Sequence, residues 1–110
     1  MELGVGLPGQ NILDLGTGTG VLPRNMARFG GDWVGTDSSP AQIAQAKQLV
    51  QQQGLSIPFF CLSAEETEFP PRSFDVITAC QCFHYFDHEK LAPKVSQMLK
   101  PGGRMAVLYL

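Results

Sequence analysis

The chain of 110 residues carries no run of like charges: eight Lys and Arg stand against ten Asp and Glu, for a formal net charge of −2. That balance offers no electrostatic footprint for nucleic acid or an anionic lipid surface, so a small molecule is the partner to expect. No apolar run approaches the ~20 residues that span a bilayer. The amino terminus, MELGVGLPGQ, lacks the basic region and long apolar stretch of a secretory signal. Cysteines are few and odd in number, Cys61, Cys80 and Cys82, which fits reduced thiols in a cytoplasmic protein. Repeats, low-complexity tracts and linkers are missing too. What is present, 44% hydrophobic and 16% charged residues, suits one globular domain over residues 1–110.

Two kinds of segment alternate along the chain. Asn11 to Leu15 (NILDL) is a short apolar run stopped by glycines and predicts a buried strand. Val21 to Phe29 predicts a helix, with Leu22, Met26 and Phe29 on one face, Pro23 in the first turn and Gly30 as the stop. Trp33 to Asp37 (WVGTD) predicts the second strand. Ser39 then caps a helix with Pro40 at its first position, Ile43, Ala46 and Val50 as its apolar stripe, and Gly54 at its end. Pro58 to Leu62 predicts a third strand, and Ser63 with Glu66 has the capping-box spacing of a short helical turn. Phe74 to Cys80 (FDVITAC) predicts the fourth strand. Asp87 can cap a helix that turns Leu91, Val95 and Met98 inward and stops at Pro101 and Gly102; Arg104 to Leu110 (RMAVLYL) follows as the fifth strand. Such alternation implies an α/β fold, a mostly parallel open sheet with helices on both faces. Ligands of such sheets bind at the carboxyl ends of the strands, so functional residues should follow Leu15, Leu62 and Ala79 and include Asp37.

The strongest local signal is Asp14-Leu15-Gly16-Thr17-Gly18-Thr19-Gly20, a strand running into a glycine-rich turn and then a helix. Glycines serve where backbone must turn tightly and approach a ligand closely. A dinucleotide fingerprint reads G-x-G-x-x-G, with a pyrophosphate on the helix amino terminus. Here the third glycine arrives one residue early, at Gly20, and Val21 takes its place. G-x-G-x-G spacing favours a ligand without a pyrophosphate, although a plain strand-to-helix turn would read the same way. Asp37 follows about twenty residues later, where a carboxylate can accept hydrogen bonds from both hydroxyls of a ribose. The same aspartate could instead cap the turn at Ser38, Ser39 and Pro40.

Five segments in order resemble the small-molecule type of class I S-adenosylmethionine-dependent methyltransferases: ILDLGTGTG at 12–20, GTDSSPAQIAQAK at 35–47, SAEETEFPPRSFDVI at 63–77, CFHYFD at 82–87 and LKPGGRMAV at 99–107. The resemblance implies a Rossmann-like sheet of strand order 3-2-1-4-5 and S-adenosyl-L-methionine as cofactor. It implies that Asp14, Gly16, Thr17, Gly18 and Gly20 surround the methionine moiety and that Asp37, with Ser38 beside it, holds the ribose. It further implies Ile43 packing on adenine, Ala64 and Glu65 beside the adenine amino group, and Cys80 and Gln81 lining the methionine end. The implied reaction is methyl transfer to a small-molecule acceptor, an in-line displacement at a sulfonium-bound carbon, for which positioning and shielding matter most.

His84 is the candidate general base, following the fourth strand on the side of methyl transfer; packing within Phe83-His84-Tyr85-Phe86 is its bland alternative. Cys80, Cys82 and His84 alternate, but a strand end does not make them a tetrahedral set, so no metal is expected. A nicotinamide-dependent oxidoreductase is the rival enzyme, disfavoured by the early third glycine; a cofactor-binding module without activity is the non-enzymatic rival. Relatives of this type extend the sheet by two strands past the fifth. The expectation is therefore of a partial domain, poor in turnover by itself and prone to self-association along the apolar fifth strand.

Overall fold

The structure, a computed structural model, describes residues 8–80 and 88–108. β1 (Asn11–Leu15), β2 (Asp32–Asp37), β3 (Phe59–Cys61), β4 (Phe74–Cys80) and β5 (Leu99–Leu108) form one sheet of order β3-β2-β1-β4-β5. Every pairing in it is parallel, as the alternation with helices requires. α1 (Val21–Met26), α2 (Pro40–Gln52) and α3 (His88–Met98) supply the crossovers.

Strand alternation divides the core into two. Ile12, Trp33, Phe59 and Val76 meet Ile43, Ala46 and Val50 of α2 on one face, with Leu22 and Met26 of α1 packed alongside. Leu13, Leu15 and Ile77 meet Leu91, Val95 and Met98 of α3 on the other. Neighbouring residues such as Ile12 and Leu13 thus serve opposite faces, and both are fully buried. Helices cover both faces as expected.

Several boundaries differ from those read in the sequence. The first helix ends at Met26, and Ala27–Phe29 tightens into a 3-10 turn closed by Gly30 at φ 93. A tightened last turn with a left-handed glycine satisfies carbonyls that an α-helical end leaves open. β3 is confined to Phe59–Cys61. The last helix stops at Met98 rather than at Pro101 and Gly102, because β5 begins at once: Leu99 pairs with Phe74, and the next register partner is Arg104 with Val76. The intervening residues form an irregularity in the ladder, where Pro101 needs no ladder donor and Gly102 takes φ 79. Asp87, the cap expected for α3, lies outside the described residues. Among those described, no helix is long and apolar enough to cross a membrane.

Candidate functional site

The register brings the strand ends together. Leu15 pairs with Thr36 on one side and Ala79 on the other, and Asp37 pairs with Cys61. Strand order, not strand direction, reverses between β1 and β4, so the crevice above their carboxyl ends is the switch point where such sheets take ligands.

The glycine turn sits over this crevice. Gly16, Gly18 and Gly20 adopt φ of 64, 60 and 76, a left-handed backbone that other residues avoid. The turn is anchored by the Thr17 N–H donating to the Thr36 carbonyl at 2.7 Å and the Gly20 N–H donating to the Thr17 carbonyl at 2.9 Å. The second and third glycines differ in surroundings. A Cβ on Gly20 would stand 2.7 Å from the Phe59 ring, whereas one on Gly18 would meet nothing within 4 Å. Gly20 is therefore a packing glycine, and Gly18 presents open backbone.

Asp37 closes onto that open glycine. Its Oδ2 accepts from the Gly18 N–H and its Oδ1 from the Ser39 N–H, each at 2.9 Å. Both readings of Asp37 are thus compatible: it caps its own turn, and each oxygen retains capacity for a further hydrogen bond. Ser38 is exposed, and its carbonyl accepts from the Cys61 thiol at 3.7 Å. Ser39 accepts from the Gln42 N–H at 3.3 Å and starts α2 as predicted.

Asp14 is used differently. It is 1% exposed, and both oxygens are taken by hydroxyl donors at 2.7 Å: Thr17 on Oδ2 and Thr78 of β4 on Oδ1. Burial pushes its carboxyl up to about 6, partly countered by the two hydroxyls, with the Asp37 charge adding to the rise. It supports the turn from beneath rather than lining open space. Ile43 is 4% exposed and packs in the core with Trp33 and Phe59 at the start of α2.

Ala64 is buried and Glu65 half-buried in the segment after β3. That segment is fixed by Ser63, whose Oγ accepts from the Glu66 N–H at 3.2 Å and donates to the Glu66 carboxylate at 2.7 Å. The capping-box residues are as read, but they close a turn, with the carboxylate on the hydroxyl instead of the Ser63 amide. Cys80 ends β4 in register with Leu108. Gln81, Cys82 and His84 lie outside the described residues. Among those described, no three His, Cys, Asp or Glu side chains are grouped to hold a metal.

Sequence reasoning missed Thr78, Gly35 and Phe59. A Cβ on Gly35 would stand 2.6 Å from the Phe59 ring and 2.9 Å from the Thr17 hydroxyl, so this glycine makes room for Thr17 to reach Asp14. The one available signal was Thr78, a polar residue inside the apolar strand FDVITAC.

These features have counterparts in known proteins. A family model described as a methyltransferase domain matches residues 12–103. A ubiquinone biosynthesis O-methyltransferase of Nitrobacter winogradskyi is 37% identical, over 94% of this chain and 40% of its own length. A demethylmenaquinone methyltransferase of Thermus thermophilus is 36% identical, over 90% of this chain and 46% of its own. The structure of Haemonchus contortus phosphoethanolamine N-methyltransferase 2 in complex with S-adenosyl-L-methionine superposes with a TM-score of 0.88 at 32% identity, over 96% of this chain and 25% of that one. The chain belongs to the methyltransferase domain family, in its S-adenosylmethionine-dependent class. It spans less than half the length of these curated relatives.

Proposed function

We propose that this chain binds S-adenosyl-L-methionine across the carboxyl ends of β1, β2 and β4 and supplies the cofactor side of a methyl transfer to a small-molecule acceptor. The observation that carries this is the pairing of Gly18 with Asp37: open left-handed backbone beside a carboxylate with one spare acceptor site on each oxygen. The residues present fit the cofactor, since a ribose diol needs two acceptors side by side and a methionyl chain needs close backbone approach without a pyrophosphate cradle.

In this reading Gly16, Thr17, Gly18 and Gly20 face the methionine moiety, with Asp14 behind them. Asp37 and Ser38 hold the ribose. Ala64 and Glu65 lie beside the adenine amino group, with Ile43 packing on the adenine. Cys80 and Gln81 close the methionine end. The bound cofactor supplies an activated methyl group on a sulfonium, so the protein needs chiefly to orient the acceptor and exclude water. His84 is assigned as the base that takes a proton from the acceptor. One curated relative is by its name a ubiquinone biosynthesis O-methyltransferase, which makes a ring hydroxyl the first acceptor to try. A cytoplasmic location and self-association along β5, an edge among the described strands, complete the reading.

The test is transfer of a labelled methyl group from S-adenosylmethionine to hydroxylated aromatic acceptors, by this chain and by the longest reading frame that contains it. Transfer by the longer form, with turnover lowered by His84→Ala at unchanged cofactor affinity, supports the reading. Failure of the longer form on oxygen, nitrogen and carbon acceptors alike contradicts it.

A further inference from the structure

The central strand carries a carboxylate with no ion-pair partner among the described residues. Asp14 is 1% exposed, in the middle strand of the sheet, directly beneath the glycine turn. Its oxygens accept from the neutral hydroxyls of Thr17 and Thr78. Donation to both oxygens favours the ionised carboxylate, while burial opposes it. The charged group acting on it from the neighbouring elements is Asp37, at the end of β2, and it is of the same sign. From β1, the turn and β4, the facing groups among the described residues are threonines, and no Lys or Arg there forms an ion pair with it. Two carboxylates thus flank one glycine turn, and a buried, unpaired charge is costly unless something of opposite sign arrives.

Building on the nucleoside assignment above, we infer that Asp14 is a selectivity residue, whose charge behind the glycine turn favours a ligand bearing a sulfonium over the neutral thioether that remains once the methyl group has left. The two ligands share the adenosine, the ammonium and the carboxylate, so contacts of Asp37 and the turn amides do not distinguish them. They differ by one positive charge, and a carboxylate in a low-dielectric interior acts on that charge without touching it. Asp14 is accordingly a positioning and electrostatic residue. It favours exchange of the spent thioether for the loaded sulfonium ligand.

The experiment is calorimetric titration of the chain with S-adenosylmethionine and with S-adenosylhomocysteine, at pH 5 and pH 7, for the wild type, Asp14→Asn and Thr78→Val. With the carboxyl at about 6, roughly one-tenth is ionised at pH 5 and nine-tenths at pH 7. The preference for the sulfonium ligand over the thioether should therefore rise severalfold across that interval in the wild type, bounded by the roughly ninefold change in ionised fraction. In Asp14→Asn the ratio should stay flat with pH and sit at or below the wild-type value at pH 5. Thr78→Val removes a donor that stabilises the ionised form, so its rise should move to higher pH. The wild-type pH series needs no variant, which keeps the test decisive if a substitution impairs folding. A wild-type ratio that does not change with pH, or an Asp14→Asn ratio equal to wild type at pH 7, overturns the inference while leaving the nucleoside site intact. Binding of neither ligand by the wild type overturns the nucleoside assignment itself, and the inference with it.

Discussion

The Asp37 carboxylate accepts the backbone N–H of Gly18, nineteen residues away in sequence, at 2.9 Å. One side chain at the end of β2 thereby fixes the open glycine of the turn after β1, and the two halves of the candidate site become one unit. Removing the carboxylate should cost twice: the turn loses its anchor and the ribose its acceptor. Asp37→Ala is expected to weaken binding of S-adenosylhomocysteine by about 1.5–3 kcal/mol for each charge-assisted bond lost. Calorimetry on a folded variant checks this, and an unchanged dissociation constant would remove Asp37 from the site.

The glycines separate packing from binding. Gly35→Ala places a Cβ 2.6 Å from the Phe59 ring and 2.9 Å from the Thr17 hydroxyl, and should destabilise by about 1–3 kcal/mol through overpacking. Phe59→Leu in the same background should recover part of that loss, giving a non-zero coupling in a double-mutant cycle. Gly18→Ala meets nothing within 4 Å, so its cost to folding is only the left-handed strain at φ 60, about 1–2 kcal/mol. Its larger effect should be on ligand affinity, since the new methyl stands in open space above the turn. Equal effects of the two substitutions on stability and binding would erase the distinction.

Arg72 is the one residue other than glycine with positive φ among those described, at 58. Its N–H donates to the Gln97 carbonyl at 2.9 Å, which a glycine would preserve. Relief of the left-handed strain exceeds the extra backbone entropy that glycine loses on folding, so Arg72→Gly should stabilise by about 0.5–1 kcal/mol. In denaturant unfolding the midpoint should rise at constant slope; a fall would mean that the Arg72 side chain contributes more than its backbone costs.

Most of the architecture was legible because the alternation of apolar runs with capped helices is a local signal. Ser39-Pro40 and the stripe Ile43, Ala46, Val50 are read directly from spacing and appear as read. The end of α3 was misplaced because Pro101 and Gly102 look like a helix stop, whereas they occupy an irregularity in the ladder that only the pairing of β5 with β4 creates. The site divides the same way. Gly18 and Asp37 were visible as a motif. The use of Asp14 was not, because Thr78 stands sixty-four residues from it and neither strand announces the contact. Gly35 was read as part of a strand, and its role depends on the ring of Phe59 arriving from β3.

The pH dependence of stability follows from Asp14. Its carboxyl is raised from 3.8 to about 6 in the folded protein, so the folded state holds the proton more tightly than the unfolded chain between those values. This group therefore contributes stability that is lost, not gained, as pH rises from about 4 to about 6, the reverse of an ion-paired acid. Asp14→Asn removes the cost of burying the charge. It should raise the unfolding temperature relative to wild type at pH 7, with the difference shrinking toward pH 4. A variant less stable than wild type at pH 7 would show that the hydroxyl bonds to the carboxylate outweigh its burial.

The most direct measurement is a calorimetric titration of the chain with S-adenosylhomocysteine and, separately, with NAD. Gly18 and Asp37, with no pyrophosphate cradle between them, predict saturable one-site binding of the first, abolished or strongly weakened in Asp37→Ala, and little heat from the second. NAD binding equal to or tighter than S-adenosylhomocysteine binding, surviving in the same variant, would contradict the site assigned here.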